Sequence, residues 1–585
     1  MEGDATAAAA RKKRNASRKG VVVLVESRYK VVLSAAKNLG WRITTDATEL
    51  DWDVCWSDQA PTLERTMGMK RYQRVNHFPA AAEITSKAGL ARNLNRMRKL
   101  FETEYNFYPY SWILPFEFSD FRKELGLSSK RFYIVKPSGL SQGRGIYLVS
   151  NEAQMKHFAI DEVFVAQEYI HKPLLIEGKK FDLRLYVLVT QCSPKLRIFV
   201  HREGLVRFAT DNWEAPSRDN AKNIFMHLTN YAVNKRNSAF EYNTSGLEGA
   251  ATGSKRSLSW LLDWVASRGY DPTRMMDAIN DVVIKTFCAV HPCWSHHYLT
   301  TFSRHHHANH GTCCFAMFGF DILFTETYKP ILLEVNGSPD LSIDTTLDRE
   351  VKERAITQLF ALLRVSPAAR RRIKRQDSNM LIERVRMNTA RKQHEAHQNS
   401  SSKPPPFDAR PHLSSPTPTR PPSRPSIPPS MSRPSSRSAS VPPSRSPTPP
   451  PPLPTPLLPP LPPYADSASD PLAFDFEEKQ RKWEEKHMGL WSRIYPTVSS
   501  GKYDKFLREQ QPTLQGPSIM STTTTTANSN KHSVPNISSS RRNSTSPSPS
   551  PPAISRLPSS SSLGLLVPPA LPPATTTNNS RPVTP

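Results

Sequence analysis

The chain has 585 residues, which is long enough for two or three domains. It carries 78 Lys and Arg residues against 52 Asp and Glu residues, a formal net charge of +26. An excess of that size predicts an acidic partner, which could be nucleic acid, an anionic membrane or an acidic protein surface. Six scattered cysteines without a CxxC pair argue against a disulfide framework and favour a reducing, intracellular compartment. No apolar run approaches the roughly 18 residues that would span a bilayer.

The chain opens with a basic stretch, residues 1–20, followed by the short apolar run VVVLV. This run is too short for a signal peptide and charged residues follow at once, so we predict a disordered basic arm before the first core strand. Residues 21–375 then mix strand-like and helical stretches without a regular βαβ repeat. This pattern predicts an α+β fold with lobes around a cleft.

The composition changes after this region. We predict a basic helical extension at 376–402, a Pro-rich linker at 403–469 and a Ser/Thr/Pro-rich tail at 512–585. The linker and the tail cannot bury enough apolar surface to offset the entropy of ordering, so we predict that both are disordered. Between them, residues 470–511 mix Trp and Tyr with Arg and Lys. They predict a short helical island that either docks on a partner or stays solvated.

A glycine-rich turn lies in IVKPSGLSQGRGIYLVS, residues 134–150. The pattern predicts two strands joined by a turn, with Lys136 on the first strand and Gly143 and Gly145 in the turn. Such a turn lets backbone N–H groups approach phosphate oxygens while the lysine supplies positive charge. It is not a Walker P-loop, and its GxSxG spacing lacks the helix that a hydrolase nucleophile elbow requires. A purely structural turn is the alternative.

Two carboxylates and an amide are expected to meet on a later hairpin. In FGFDILFTETYKPILLEVNGSPDLS, we expect the first strand to end with Asp321 and the second with Glu334, followed by Asn336. Hard oxygen donors that leave room for water and phosphate suit Mg²⁺. The alternative is that both carboxylates form salt bridges inside the core.

Cationic residues occupy the middle of the region. Lys180, Asp182 and Arg184 alternate along one predicted strand and therefore project from one face. Arg207 lies on the next strand-like run, and the polar segment MHLTNYAVNK follows from Met226. Alternating charges on a strand usually form a solvated face. Here they accompany a phosphate-binding turn and a carboxylate pair, which favours a site.

These segments resemble the tubulin tyrosine ligase-like family. The resemblance rests on KPSGLSQGRGI, QEYI, KKFDLRLYVLV, HREGLVRF, HLTNYAVNK, FGFDIL and LLEVNGSPDLS in that order, and on PTLERTMGMKRYQRVNHFP upstream. With LDREVKERAI, the sequence is most similar to the polyglutamylase branch. The similarity covers about residues 22–375 and implies an ATP-grasp catalytic core at 21–375 with a small N-terminal α/β lobe.

The resemblance implies an enzyme that uses ATP and Mg²⁺ to add glutamate to glutamate side chains or chains on the acidic C-terminal tails of tubulin. A tail carboxylate would take the γ-phosphoryl group, and the amine of free L-glutamate would attack the acyl-phosphate. The family implies a monomer at the cytoskeleton in the cytoplasm, including the cilium or flagellum and the basal body, that binds neither nucleic acid nor membrane. A ligase for glycine or tyrosine and an inactive microtubule-binding scaffold are the alternatives.

The resemblance also implies roles for individual positions. The nucleotide would be bound by Lys136, Gln142, Gly143, Arg144, Gly145, Gln167, Glu168, Tyr169, Ile170, Lys180, Asp182, Thr229 and Asn230. The metal ligands would be Asp321, Glu334 and Asn336, the catalytic residues Arg184, Arg207 and Glu334, and the substrate-binding residues Arg207, Tyr231 and Lys255. Initiation versus elongation stays open, because Gln142 is typical of chain elongators whereas Gly337 matches neither type.

A cationic microtubule-binding segment follows the core in this family. The run ARRRIKR at 369–375, with further Arg and Lys residues up to Lys392, is one candidate for that role. The aromatic stretch 483–495 is a second candidate. A solvated charged helix is the alternative for the basic run.

Overall fold

The structure is a computed structural model, and it describes residues 20–127, 131–155, 162–247, 251–302, 310–401 and 471–508. The basic arm before Gly20, the Pro-rich linker 403–469 and the tail 512–585 lie outside the described residues. Within the described ranges, no helix is both long and apolar enough to cross a membrane. The predicted mixture of helices and sheets is confirmed.

A small parallel sheet forms the N-terminal lobe. Its strands, in the order β2-β1-β3-β4, are β1 (Val22–Glu26), β2 (Arg42–Thr44), β3 (Val54–Ser57) and β4 (Arg74–Val75). Its helices are α1 (Lys30–Asn38), α2 (Leu63–Gly68), α3 (Ala82–Thr85) and α4 (Lys87–Leu100). Four of the five residues of β1 are buried, because a parallel strand is covered on both faces.

A four-stranded antiparallel sheet carries the glycine-rich turn. Its strands, in the order β5-β8-β6-β7, are β5 (Ser111–Leu114), β6 (Tyr133–Pro137), β7 (Tyr147–Val149) and β8 (Phe164–Glu168). Helix α5 (Phe118–Leu127) packs its Phe121 and Leu125 against this sheet. Strands β6 and β7 pair antiparallel on either side of the turn, so the predicted strand–turn–strand arrangement is confirmed.

A seven-stranded antiparallel sheet forms the centre. Its strands are β9 (Leu175–Ile176), β10 (Lys179–Gln191), β11 (Arg197–Asn212), β12 (Lys255–Ser257), β13 (Ala316–Phe324), β14 (Pro330–Asn336) and β15 (Trp491–Tyr495). The main order is β12-β11-β10-β13-β14, with β9 beside β10 and β15 beside β11. The remaining helices are α6 (Ile224–His227), α7 (Tyr231–Asn234), α8 (Leu258–Ser267), α9 (Pro272–Thr301), α10 (Thr346–Leu362), α11 (Pro367–Ser401), α12 (Pro471–His487) and α13 (Asp504–Arg508).

Both faces of the central sheet are buried. Leu185 and Val187 of β10 belong to the apolar cluster that includes α9, whereas Tyr186 and Leu188 belong to the cluster that includes α10. Side chains alternate between the faces of a strand, so a strand covered on both sides is apolar throughout. The long apolar run of β10 follows from this double coverage.

Strand β13 is longer than the sequence suggested. We expected it to end at Asp321, but the strand continues to Phe324 and Asp321 lies in its interior. That expectation was wrong because the three apolar residues after Asp321 are buried and continue the pairing with β14. Asp321 therefore lies within the sheet, opposite Glu334.

Residues 471–508 return to the central sheet, and we call them the C-terminal strap. The island predicted at 470–511 is helical only in part, because α12 is followed by β15, which pairs with β11. The Trp491 side chain is fully buried and donates its indole N–H to the Ala355 carbonyl at 3.1 Å. Trp491 and Tyr495, which belong to the aromatic stretch considered for microtubule binding, are therefore buried in the core rather than exposed to a partner.

Buried charges and aromatic contacts hold the strap. Glu484 of α12 is fully buried and accepts hydrogen bonds from Arg197 of β11, at 3.1 Å to each oxygen, and from Arg493 at 2.7 Å. At the other end, Phe506 meets Phe101 edge-on, with ring centres 4.9 Å apart. The strap thus runs from the central sheet to the end of α4.

Candidate active site

A cleft between the four-stranded and central sheets collects most of the residues implied by the family resemblance. Its empty volume, open solvent at the mouth included, is about 770 Å³. Its lining includes Lys136, Gln142, Gly143, Arg144, Gln167, Glu168, Tyr169, Ile170, Lys180, Asp182, Thr229, Asn230, Asp321 and Glu334. The structure places six others outside this lining, namely Gly145, Arg184, Arg207, Tyr231, Lys255 and Asn336.

Strand pairing aligns the charged residues in what we call the charged row. It crosses five neighbouring strands, because residues that are opposite one another in a sheet have adjacent side chains. From β12 through β14, the row contains Lys255, Arg207, Asp182, Arg184, Asp321 and Glu334. Residues that are far apart in the chain become neighbours through register alone.

Two arginines hold the central carboxylates of the row. Arg207 binds both oxygens of Asp182, at 2.7 and 2.6 Å, and lies 2.9 Å from Asp321. Arg184 binds both oxygens of Asp321, at 2.6 and 2.9 Å. Burial alone would raise the pKa of Asp321, but the two arginines outweigh it and hold the pKa well below its usual range. Asp321 is thus ion-paired in this structure, as the salt-bridge alternative anticipated.

Glu334 differs from Asp321 in its partners. It accepts a hydrogen bond from the Asn336 amide at 3.2 Å, and its other oxygen lies 4.0 Å from the Lys87 ammonium. Burial raises the pKa of Glu334, and the negative charge of Asp321 raises it further. A cation at this position would relieve the repulsion between the two carboxylates.

The donor set fits magnesium, with one requirement. In the described part of the chain, no group of three or more His, Cys, Asp or Glu side chains could hold a metal ion. The predicted set therefore depends on the Asn336 amide beside the carboxylates of Asp321 and Glu334. Asn336 directs its nitrogen toward both carboxylates, at 3.5 and 3.2 Å, so the amide must turn over to offer its oxygen.

Two of the three described lysines that line the cleft are held by neutral groups. Lys136 donates to the Gln167 side-chain oxygen at 2.8 Å, and Lys180 donates to the Tyr169 hydroxyl at 3.2 Å. Burial is the main cause that lowers the pKa of Lys136 to about 8; Glu334 opposes the shift, and Lys87 and Lys180 add to it. Because neither hydrogen-bond acceptor carries a charge, the positive charge of both lysines remains available to an anionic ligand.

The glycine turn needs its glycines. Gly143 and Gly145 have φ angles of +75° and +71°, in the left-handed region that other residues rarely adopt. A Cβ atom on Gly143 would lie 2.7 Å from a Val233 methyl carbon, so a side chain would force the turn away from α7. The absence of a side chain at Gly143 thus allows the turn to pack against α7 beside the cleft.

The residues expected to bind the amino acid lie at the β12 end of the charged row. The Lys255 ammonium sits 3.6 Å from the centre of the Tyr231 ring and donates to Asp348 at 2.8 Å. Lys352 pairs with the other Asp348 oxygen at 2.9 Å. A second carboxylate, Asp344, accepts a hydrogen bond from the Tyr231 hydroxyl at 2.6 Å and also acts on Lys255, so the lysines at this end are balanced by carboxylates.

Sequence reasoning gave no role to two ionisable lining residues, Lys87 and His227. Ser86 caps α4 by accepting the Gly89 N–H at 3.0 Å, which makes Lys87 the first residue of the helix. From there its ammonium reaches the Leu140 carbonyl in the glycine turn at 2.7 Å. A lone lysine after a Ser cap gives no signal of such a contact in the sequence. His227 lies in a motif that we had singled out, but nothing distinguished it from its neighbours.

Residues 65–373, just over half of the 585 residues, match the Tubulin-tyrosine ligase family, and the chain belongs to that family. The resemblance seen in the sequence is thereby confirmed.

Similar proteins carry a more specific description. The chain is 42% identical to Tubulin polyglutamylase TTLL13 of Homo sapiens over 64% of its own length and 45% of that protein. It is 40% identical to Tubulin polyglutamylase ttll6 of Danio rerio, over 63% and 45% respectively. It is 38% identical to the Probable beta-tubulin polyglutamylase of Tetrahymena thermophila, over 62% and 30%. The chain thus spans less than half the length of these relatives.

Proposed function

We propose that this protein is an ATP- and Mg²⁺-dependent ligase with an ATP-grasp cleft, which adds glutamate to glutamate side chains or chains on tubulin C-terminal tails. The observation that carries the proposal is the convergence of the glycine turn and three carboxylates of the charged row, Asp182, Asp321 and Glu334, on one cleft. The printed names of its relatives support tubulin as the substrate. We further propose that it acts as a monomer at the cytoskeleton in the cytoplasm, including the cilium and basal body.

The residues of the cleft have different roles in this proposal. The glycine turn, with Gln142 and Arg144, offers backbone and side-chain donors to the phosphates, while Lys136 and Lys180 offer positive charge. Such fixed charges stabilise the negative charge that develops during phosphoryl transfer without reorganising. No protein nucleophile is required, because the attacking groups belong to the tail carboxylate and to the amine of free glutamate.

The buried ion pairs keep the site in shape. Arg207 bridges Asp182 and Asp321, so the carboxylate expected near the ribose and the one expected near the metal cannot move independently. Asp321, Glu334 and Asn336 would hold Mg²⁺, which, when bound, neutralises charge on the phosphates. Lys255 and Tyr231 would receive the carboxylate of the incoming glutamate. Gln142 favours elongation over initiation.

The decisive experiment uses the full chain with tubulin, ATP and Mg²⁺, and offers labelled glutamate, glycine and tyrosine separately. We expect only glutamate to be incorporated, and Glu334→Gln to lower the rate by about a hundredfold or more because charge stabilisation is lost. Glu326→Gln is the matched control, since Glu326 lies in the exposed turn of the same hairpin and pairs with Lys172. Mass spectrometry of the tails reports attachment point and chain length.

Each result has a defined meaning. Incorporation of glycine or tyrosine instead of glutamate would show the amino-acid assignment to be wrong. Absence of any incorporation at saturating substrates would favour the inactive scaffold. Unchanged glutamylation by Glu334→Gln would show the metal site to be misassigned.

A further inference from the structure

His227 lines the cleft, but none of the assigned roles includes it. Its Nε2 lies 3.0 Å from the Asn220 carbonyl oxygen and its Nδ1 lies 2.9 Å from the Tyr169 hydroxyl. A carbonyl oxygen can only accept a hydrogen bond, so Nε2 carries the proton and Nδ1 is an acceptor. The backbone of Asn220 thereby selects the tautomer of the ring.

The tautomer of His227 sets the direction of the next hydrogen bond. The Tyr169 hydroxyl must donate to Nδ1, which leaves the lone pairs of its oxygen to the Lys180 ammonium at 3.2 Å. The same ammonium donates to the His227 carbonyl oxygen at 2.9 Å. Burial and, to a smaller extent, the charge of Lys180 lower the pKa of His227 to about 4, so the ring is neutral near pH 7.

Over the ranges that the structure describes, Lys180 shares with Lys136 the lack of an ion pair with a carboxylate, and both differ in this respect from three other basic residues of the site. Arg184, Arg207 and Lys255 each bind a carboxylate. Among the residues that the structure describes, no carboxylate forms an ion pair with Lys180, whose two oxygen partners are the neutral ones supplied by Tyr169 and His227. A lysine that is held in place without being neutralised keeps its charge for an anionic ligand.

We propose that His227 is a positioning residue of the nucleotide site, which acts through the Tyr169 hydroxyl to hold the Lys180 ammonium toward the phosphates of a nucleoside triphosphate. The inference deepens the proposed function and depends on it for the identity of the ligand. In this proposal His227 does not contact the nucleotide. The effect of His227 on ATP binding should therefore disappear when Tyr169 loses its hydroxyl.

The test measures binding of ATP and of adenosine to the full chain by calorimetry. We expect His227→Phe, which keeps a ring but removes both nitrogens, to weaken ATP binding by up to about tenfold, as for the loss of one hydrogen bond between neutral groups. Adenosine, which lacks phosphates, should bind with nearly unchanged affinity. His227→Asn should recover part of the loss, because its amide oxygen can replace Nδ1 as the acceptor.

A double-mutant cycle separates positioning from packing. Tyr169→Phe should weaken ATP binding by a similar factor, and His227→Phe should add less than about twofold in that background. Tyr105→Phe is the matched control, since its buried hydroxyl donates to the Lys285 carbonyl outside the cleft. Tyr105→Phe should leave ATP affinity unchanged.

Several outcomes would overturn the inference. The inference would be wrong if His227→Phe bound ATP with wild-type affinity. It would also be wrong if the variant lost ATP and adenosine binding equally, or if the effects of the two substitutions on ATP binding were additive. If His227→Phe fails to fold, Tyr169→Phe alone decides, because it removes a single oxygen and must still discriminate ATP from adenosine. A wild-type chain that binds no ATP would refute the proposed function as well. A wild-type chain that ligates glutamate while the variants bind ATP normally would refute only the role of His227.

Discussion

Lys136 is a partly buried lysine held by a neutral amide, and this makes its charge sensitive to pH. Since its pKa is lowered to about 8, the free protein loses this positive charge as the pH rises through 8. We expect ATP affinity to fall between about pH 7 and pH 9, because phosphate binding favours the charged lysine. Calorimetry of wild type and Lys136→Arg tests this, since an arginine stays charged and should flatten the profile.

A fall in ATP affinity with pH in the wild type but not in Lys136→Arg would show that Lys136 causes the pH dependence. Arg98→Lys serves as a control, because it changes a basic residue that does not line the cleft. A wild-type affinity that stays constant over the whole range would show that Lys136 does not carry the phosphate charge.

Residue types in the cleft could be predicted from the sequence, but their partners could not. The motif containing Lys136 and Gly143 is local, so its arrangement followed from a few neighbouring residues. The ion pairs of Asp321 with Arg184 and Arg207 depend on the register of three strands that are distant in sequence. No local pattern specifies that register, and the position of Asp321 along its strand was misjudged for the same reason.

At the level of elements, the C-terminal strap makes a prediction about stability. Trp491→Ala should lower the free energy of unfolding by about 3–5 kcal/mol, because it opens a cavity and removes the hydrogen bond to Ala355. We expect a melting temperature lower by at least about 5 °C, measured by calorimetry or fluorescence. Val498→Ala in the same strap is the control. The Val498 side chain is exposed, so its removal should leave the free energy of unfolding almost unchanged.

An unchanged melting temperature in Trp491→Ala would mean that the strap is not part of the folded core. The sequence indicated a helix here because the charged residues that surround Trp483 suit an exposed helix. The five residues of β15 gave too short a signal for a strand, and their partner lies on β11, far upstream. Pairing between such distant segments is a property of the tertiary structure.

Helix α11 also differs from the expected division of the chain. It begins at Pro367 and continues to Ser401, so one helix crosses the predicted boundary between residues 375 and 376. Near its start, Arg370 binds the buried Asp53 carboxylate of the N-terminal lobe at 2.6 Å. The first turn of α11 therefore packs against the N-terminal lobe, whereas the following turns are mostly exposed to solvent.

For the whole molecule, the excess of positive charge predicts salt-sensitive binding to an acidic partner. We expect microtubule binding to weaken as ionic strength rises from about 50 to 300 mM, because exposed charges are screened beyond the Debye length. Replacing Arg384 and Arg386 of α11 with serine should reduce both affinity and salt dependence, measured by cosedimentation. ATP affinity, which depends on the lysines of the cleft, should stay the same in this variant.

Microtubules without their acidic tails provide the control for that experiment. Loss of the salt dependence on such microtubules would place the contact on the tails. Equal binding by wild type and the double variant at every salt concentration would show that α11 does not contribute.

The outer edge of β11 is completed by two segments from different parts of the chain. Strand β12 pairs with its second half, and β15 pairs with Ile198 to His201 near its start. A nascent chain must therefore be synthesised for roughly 300 further residues before that edge is closed, and non-local pairings of this kind are slow to form. Until then the exposed edge is a template for unwanted pairing with other chains. Production of soluble protein should consequently depend on a chaperone that shields β11 until residues up to Tyr495 have left the ribosome.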